Sequence, residues 1–293
     1  MGDGINCIVN VGDMGKPADT LIRKISSAIG GLCRPWQIKR IAQAEADAKL
    51  ILEQSNIEAA EMQLRAMRRF VGEESNKQRN IESITSEAIP LLHADSNPDT
   101  VDDDWIVNFF DKCKIISNDK MQKLWAKILA GEVNSPGKFS RRTINLLSSF
   151  DQEDAKIFTN LCRFIWRIDR FNWPLLLEFP PTSKVYLDNG IIFGNILHLE
   201  SIGLIKIAAN YDFKQILSSS ECFAKYFENV YHISINQGTN SIDVGYINLT
   251  SFGLELSKVI TVNPVDGFEE YVLKHITPRL RSIQKVQINM PHS

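Results

Sequence analysis

The chain has 293 residues, 44% of them hydrophobic and 23% charged, which is enough to bury sizeable cores in two domains. Lys and Arg total 33 against 35 for Asp and Glu, and this net charge of −2 supplies no overall attraction for nucleic acid or anionic membrane. No stretch reaches the roughly 18 apolar residues that span a bilayer, and the N-terminus lacks a secretory signal pattern. We therefore expect a cytoplasmic protein.

The N-terminal residues begin with two apolar segments. Residues 5–11 (INCIVNV) are typical of a short strand, and no neighbouring strand is predicted to pair with them. After Pro17, apolar residues at three- and four-residue spacing predict an amphipathic helix that ends at Gly30 and Gly31. Both segments would be stabilised by a partner chain.

A long helix is predicted from Trp36 to about Phe70, where proline and glycine are absent and helix-forming residues dominate. Its apolar residues step in alternating threes and fours, the spacing of a helix that packs lengthwise on another, in the same chain or in a second copy. Gly72 and the polar run 73–80 are expected to break this pattern before it restarts in a new phase at Ile81. The predicted self-association residues are Leu21, Ile25, Ile29, Leu32, Ile57, Leu64 and Met67, with Ala60 and Val71 on the same face of the long helix.

A basic segment lies between Lys16 and Arg40, where six basic residues accompany one acidic residue, Asp19. Together with the amphipathic helix and Trp36, it could lie on an anionic membrane surface or on phosphates. The predicted contact residues are Arg23, Lys24, Arg34, Lys39 and Arg40. The other interpretation is a solvated face whose apolar side packs against protein.

The middle of the chain is predicted to be a helical box that follows the acidic loop 95–104. Helices are expected at 103–116, 119–131, 140–150 and 151–168. In the second of these, Trp125 and Leu129 share one apolar stripe, so both are predicted core residues. The run Asp102 to Asp104 is interpreted as the start of a helix, which favours carboxylates, rather than as a cation site.

The composition shifts after Trp173 and Pro174 to a mixture of helices and strands. Strands are predicted near 184–187, 204–208, 230–236 and 243–249, and helices near 191–201, 251–260 and 267–280. The order of helix, strand, two-stranded wing and closing helix resembles a winged-helix module. That resemblance is carried by the tight Ser201-Ile202-Gly203 turn, which leads into the strand at Leu204, and by the sequence LTSFGLEL from Leu249 to Leu256.

The helix that would read DNA in such a module carries Asn195, His198 and Glu200 but no Arg or Lys. It therefore lacks the usual contacts to phosphate and guanine. This favours a protein-binding or structural module over a DNA reader. Nucleic acid stays among the alternative partners.

Together these patterns predict an α+β fold that is mainly α, with a long N-terminal helical arm, a central helical box and a C-terminal winged-helix-like domain. The expected boundaries are 1–94, 95–172 and 173–293.

No catalytic, metal-binding or cofactor-binding residue is predicted. The histidines are scattered singly, and the cysteines are odd in number and far apart, which is typical of reduced core thiols. Phosphate-binding loops, nucleophile elbows and zinc-binding helices have no counterpart in the sequence.

Two segments resemble an uncharacterised bacterial family whose function is unknown. They are LWAKILAGEVNSPGKFSRRTINLLSSFDQEDAKIF at residues 124–158 and KPADTLIRKISSAIGGLCRPWQIKRIAQAEADAKLI at residues 16–51. The resemblance implies a setting among prophage and defence-island genes, and hence a role in phage defence or mobile-element conflict. It implies no activity and no catalytic residues.

The sequence therefore favours a non-enzymatic binding or assembly protein that forms a homo-oligomer, binds a protein partner and needs no cofactor. Three alternatives stay open. They are a transcriptional regulator that binds DNA through the winged-helix-like domain, a membrane-surface effector that acts through the basic N-terminal helix, and an enzyme with an unfamiliar site.

Overall fold

A computed structural model describes residues 15–30, 57–208 and 212–286, without the side chains of residues 57–60. It divides the chain into two compact units, Met1–Ser149 and Phe150–Ser293, referred to as unit 1 and unit 2. The boundary falls after Ser149, whereas the sequence predicted boundaries near residues 94 and 172. The predicted strand at 5–11 and residues Leu32, Arg34, Lys39 and Arg40 lie outside the described residues.

Unit 1 is helical over its described residues. Its helices are α1 (Lys16–Ile29), α2 (Ile57–Ala88), α3 (Asp103–Cys113), α4 (Asp119–Asn134) and α5 (Arg141–Leu147), with 3-10 turns at Ile89–Leu91 and Pro98–Thr100. Side-chain caps fix where three of them begin. Asp102 accepts from the Trp105 N–H, Asn118 from the Met121 N–H and Ser140 from the Thr143 N–H. The role predicted for Asp102 at a helix start is thus observed.

Aromatic side chains form the centre of unit 1. Trp105 stacks on Phe109, whose ring meets Trp125 edge to face at 5.1 Å between centroids. The Trp105 Nε1–H donates to the Phe139 carbonyl over 2.8 Å. Trp125 and Leu129 are fully buried, which confirms the prediction that both are core residues.

Helix α2 runs without interruption through Gly72 and the polar run 73–80, so the predicted break is wrong. A single helical glycine costs only about 1 kcal/mol relative to alanine, and the polar residues there are good helix formers. Lys77 also pairs with Glu74 at 2.8 Å within the run. The predicted change of phase is wrong as well, because buried Ile81 and Ala88 continue the three-four spacing of Leu64, Met67 and Val71.

Unit 2 combines helices with antiparallel strands. The helices are α6 (Gln152–Cys162), α7 (Lys184–Leu187), α8 (Phe193–Ser201), α9 (Ser251–Ser257) and α10 (Phe268–Ile276). The strands are β1 (Ile165–Ile168), β2 (Phe171–Pro174), β3 (Ile205–Ile207), β4 (Phe213–Ile216), β5 (Glu221–Tyr226), β6 (Asn229–Ser234), β7 (Ser241–Gly245), β8 (Ile247–Leu249) and β9 (Ser282–Lys285). A five-stranded sheet has the order β2-β1-β5-β6-β9, and β3 pairs with β8 and β4 with β7.

Two predicted elements of unit 2 are wrong. The helix predicted over 151–168 ends at Cys162, and Ile165–Ile168 form strand β1 because Trp166 and Ile168 alternate inward while Arg167 faces outward. Residues 184–187, predicted as a strand, form one helical turn. Its Tyr186 is buried and donates its hydroxyl to the Leu175 carbonyl over 2.8 Å. Short apolar runs do not distinguish strand from helix by periodicity alone.

The predicted two-stranded wing is also replaced by a different pairing. Strand β6 pairs with β5 and β9, and β7 pairs with β4, so the two predicted wing strands do not pair with each other. The helix α8, the strand pair β3–β8 and the helix α9 do follow the predicted order. The fold class is confirmed as α+β and mainly α.

Candidate interaction surfaces

The first candidate surface is the face of α2 formed by Leu64, Met67 and Val71, which we call the heptad face. All three side chains are half-buried, and no residue from 61 to 80 is buried. From Asn80 onward the helix packs on α4, where Gln122 donates to the Asn80 side chain over 3.2 Å and Ser83 donates to the Gln122 side chain over 2.7 Å. The heptad face thus lies on the N-terminal half of the described helix, and the half that packs on α4 follows it. Ile57, predicted on the same face, belongs to the helix, but its side chain lies outside the described part.

Helix α1 is packed inside unit 1, so its apolar side does not form a free surface. Leu21 and Ile25 are buried, and α1 lies against α3 and the 98–100 turn. Leu21 and Ile25, predicted as self-association residues, therefore face the core of their own unit. Ile29 is half-buried at the end of α1, where Gly30 adopts a left-handed conformation.

Lys24 is turned inward as well. Its ammonium lies 3.1 Å from Asp103 Oδ1 and donates to the Asp99 carbonyl over 2.9 Å, and the side chain is only 12% exposed. Arg23 is exposed and donates to Thr20 Oγ1 over 3.1 Å. Of the predicted anionic-surface residues that the structure describes, Arg23 is accessible and Lys24 is used internally.

A second surface lies on α8 and the residue before it, and the sequence reasoning missed it. Ile192, Phe193 and Leu197 are exposed large apolar side chains, and Leu187 at the end of α7 is exposed too. Phe193 and Leu197 are four residues apart and so share one helix face. That spacing was visible in the sequence. Because the buried Ile196 and Leu199 make the helix apolar on a second side, the sequence alone does not show which side is exposed.

His198 of α8 contacts the start of α6. Its Nε2 lies 2.5 Å from Oδ1 of Asp154, whose side chain is 11% exposed. Asp154 Oδ2 also accepts the Asp151 N–H over 3.0 Å as part of a capping box. This pair joins two helices of unit 2, and the predicted recognition helix is thereby fixed in place through its histidine.

Three cysteines lie in the described ranges, and all of them are free and buried: Cys113, Cys162 and Cys222. Burial raises the pKa of the Cys113 and Cys162 thiols well above the ordinary value and that of Cys222 to about 11. These thiols are core groups, as the sequence predicted.

Within the same ranges, no group of three or more histidine, cysteine or acidic residues could hold a metal ion.

A cavity of about 440 Å³ in unit 1 lies where the start of α1 meets the segment that follows α2. Its lining is mostly apolar, with Pro17, Ile89 and Leu92 from the two sides, and His93 supplies a polar group. None of the predicted site residues lines it.

The comparisons with known proteins identify a family. Residues 64–273 match the model of a family described as protein of unknown function DUF2806, and the chain belongs to that family. The matched range contains the 124–158 segment, whereas the 16–51 segment lies outside it. No curated protein and no solved structure matches the chain. In the part of the chain that the structure describes, no helix is long and apolar enough to cross a membrane.

Proposed function

We propose that the chain is a cytoplasmic, non-enzymatic assembly protein that self-associates through the heptad face of α2. One observation carries this proposal: residues 61–80 form more than five turns of continuous helix in which no side chain is buried, although Leu64, Met67 and Val71 line one side. At 1.5 Å per residue this segment is about 30 Å long, enough for a stable helix pair.

The spacing of these side chains indicates what would cover them. Leu64, Met67 and Val71 occupy alternating positions of a heptad, and the same register continues into the packed half of α2 at Ile81 and Ala88. In a helix pair each such residue inserts between residues of the facing helix and loses its remaining exposure. A second copy of the chain supplies an identical helix with matching spacing.

A second candidate function is the binding of a different protein at α8. The exposed apolar side chains of Ile192, Phe193 and Leu197 favour it, since contiguous exposed apolar residues are typical of protein interfaces. From 185 to 205 the sequence contains no Lys or Arg, so this helix suits a protein partner better than the DNA of a transcriptional regulator.

The proposed setting is phage defence or mobile-element conflict, and it rests on the resemblance of the two quoted segments alone. The family itself is described only as having unknown function. The membrane-surface alternative is weakened by Lys24, which pairs with Asp103. The residues still available for contact with a membrane surface are Arg23 and the basic residues that lie outside the described part.

Light scattering on the full chain tests the proposal. Leu64→Glu places a charge on the heptad face and should lower the mass of the native particle, because a buried charge without a partner is costly. Ala66→Glu is the matched control, since Ala66 is exposed on another side of the same helix. An equal mass for both variants and the native chain would contradict self-association through this face.

A further inference from the structure

The outer face of the five-stranded sheet in unit 2 carries an exposed aromatic side chain at its centre. Phe223 on β5 is 57% exposed, and its neighbours Cys222 and Ala224 point into the core. Its cross-strand partner is His232 on β6, and the two rings lie 5.3 Å apart. With more than half of its surface exposed, the Phe223 ring can stack on an aromatic group of a ligand.

Two cations lie beside this ring on the same face. Lys225 is two residues from Phe223 on β5, about 7 Å along the strand, and Arg167 on β1 is its direct cross-strand partner. Both are exposed. Like charges placed directly opposite each other in a sheet are unfavourable unless an anion lies between them.

Neither cation is neutralised within the described ranges. Arg167 Nε donates to the Asp169 carbonyl over 3.3 Å, a neutral acceptor. Asp169 also donates its N–H to the Phe223 carbonyl over 2.8 Å, and its carboxylate lies 3.6 Å from Arg170 Nε. Among the described residues, no carboxylate forms an ion pair with Arg167 or Lys225. Glu221, the acidic residue of β5, faces the same side but lies 3.4 Å from His232 at the other end of the ring pair. The two cations are therefore available to an anionic ligand.

We propose that this face binds single-stranded nucleic acid, with a base stacked on Phe223 and an adjacent phosphate held between Arg167 and Lys225. A ring that stacks on any base, next to cations that hold the backbone, is the arrangement by which sheets bind single strands. Duplex DNA fits poorly because its bases are already stacked on each other. This proposal goes beyond self-association and does not depend on it, since every residue involved lies in unit 2.

Fluorescence anisotropy of the full chain with labelled oligothymidylate and oligouridylate of about 15 nucleotides tests the proposal. Phe223→Ala should weaken binding about 5- to 150-fold, the range for loss of one stacked base. Lys225→Glu should weaken binding too and lower the salt dependence by about 0.7 in the log–log slope. The tighter of the two oligonucleotides identifies whether DNA or RNA is the ligand.

Matched controls separate the site from the general charge of the protein. Phe171→Ala removes an exposed ring from β2, where Phe171 pairs with inward-facing Ile168, and Lys274→Glu makes the same charge change on α10. Both control variants should bind like the native chain. Far-ultraviolet circular dichroism should show a native fold for all four variants. The proposal is overturned if the native chain fails to bind either oligonucleotide at about 0.1 mM protein, or if a duplex of equal length binds as tightly. It is also overturned if Phe223→Ala or Lys225→Glu binds normally, or if the control variants lose as much affinity as these two.

Discussion

Asp154 and His198 lie 2.5 Å apart, between Oδ1 of the carboxylate and Nε2 of the imidazole, and so connect the first turn of α6 to α8. The other oxygen of Asp154 accepts the Asp151 N–H over 3.0 Å. The Asp154 carboxylate thus caps the start of α6 and also contacts α8 through His198.

Replacement of Asp154 by alanine should lower the free energy of unfolding by about 1.5–3 kcal/mol, because two hydrogen bonds to a largely buried carboxylate are lost. His198→Ala should cost less, since only one of those contacts disappears. Urea denaturation of both single variants and the double variant measures their coupling. Strictly additive costs would show that the two side chains do not interact.

Trp125→Ala should lower the free energy of unfolding by about 3–5 kcal/mol, the range for removal of a buried aromatic side chain. Trp125→Phe should cost clearly less, since it keeps a ring against Phe109 and removes the Nε1–H, which has no described hydrogen-bond partner. Denaturant unfolding provides the comparison, with exposed Lys123→Ala as control. An unchanged midpoint for Trp125→Ala would contradict the packing of α4.

Gly253→Ala should destabilise unit 2 even though alanine is the better helix former. A Cβ at Gly253 would lie 2.1 Å from the Leu204 carbonyl oxygen, a clash with backbone that cannot be relieved by rotation of a side chain. Gly194→Ala in α8 is the control, because its Cβ would meet nothing within 4 Å, and it should be neutral or stabilise by up to about 1 kcal/mol. Thermal unfolding of both variants tests this, and equal melting temperatures would contradict it.

Selection of the full chain against a random pool of duplex DNA should enrich no sequence. The helix α8 bears no Arg or Lys, and its exposed Phe193 and Leu197 cannot make the bidentate contacts that identify bases. Enrichment of one sequence that Phe193→Ala abolishes would instead support the transcriptional regulator.

Helix positions in unit 1 were predictable from the sequence because apolar spacing and capping residues coincide there. Asn118 and Ser140 are capping side chains at the expected helix starts, and Trp125 lies on a clear apolar stripe. The continuity of α2 was not predictable, because Gly72 and its polar neighbours resemble a break when the packing of Ile81 and Ala88 is unknown.

Strand pairing in unit 2 was harder to predict from the sequence. Strand β1 follows a helix directly and forms a hairpin with β2, and its other neighbour in the sheet is β5, more than fifty residues later. The candidate sites show the same limit. Phe223 and Lys225 alternate visibly in the sequence, but the cation beside them, Arg167, is brought there by the register of the sheet. Burial of Leu21 and Ile25 likewise depends on tertiary contacts with α3.

Burial of α1 also changes how self-association can be tested. Deletion of residues 1–35 would remove Leu21 and Ile25 from the core of unit 1, so a lower mass after truncation could reflect unfolding. A point substitution on the heptad face avoids this, because Leu64 is only half-buried.

Sedimentation equilibrium of the unmodified full chain at micromolar concentration tests the central claim, self-association, most directly. We predict a mass that is a multiple of 33.2 kDa and that falls toward this value on dilution. A mass of one chain at every concentration would contradict the account and show that the heptad face packs within a single chain.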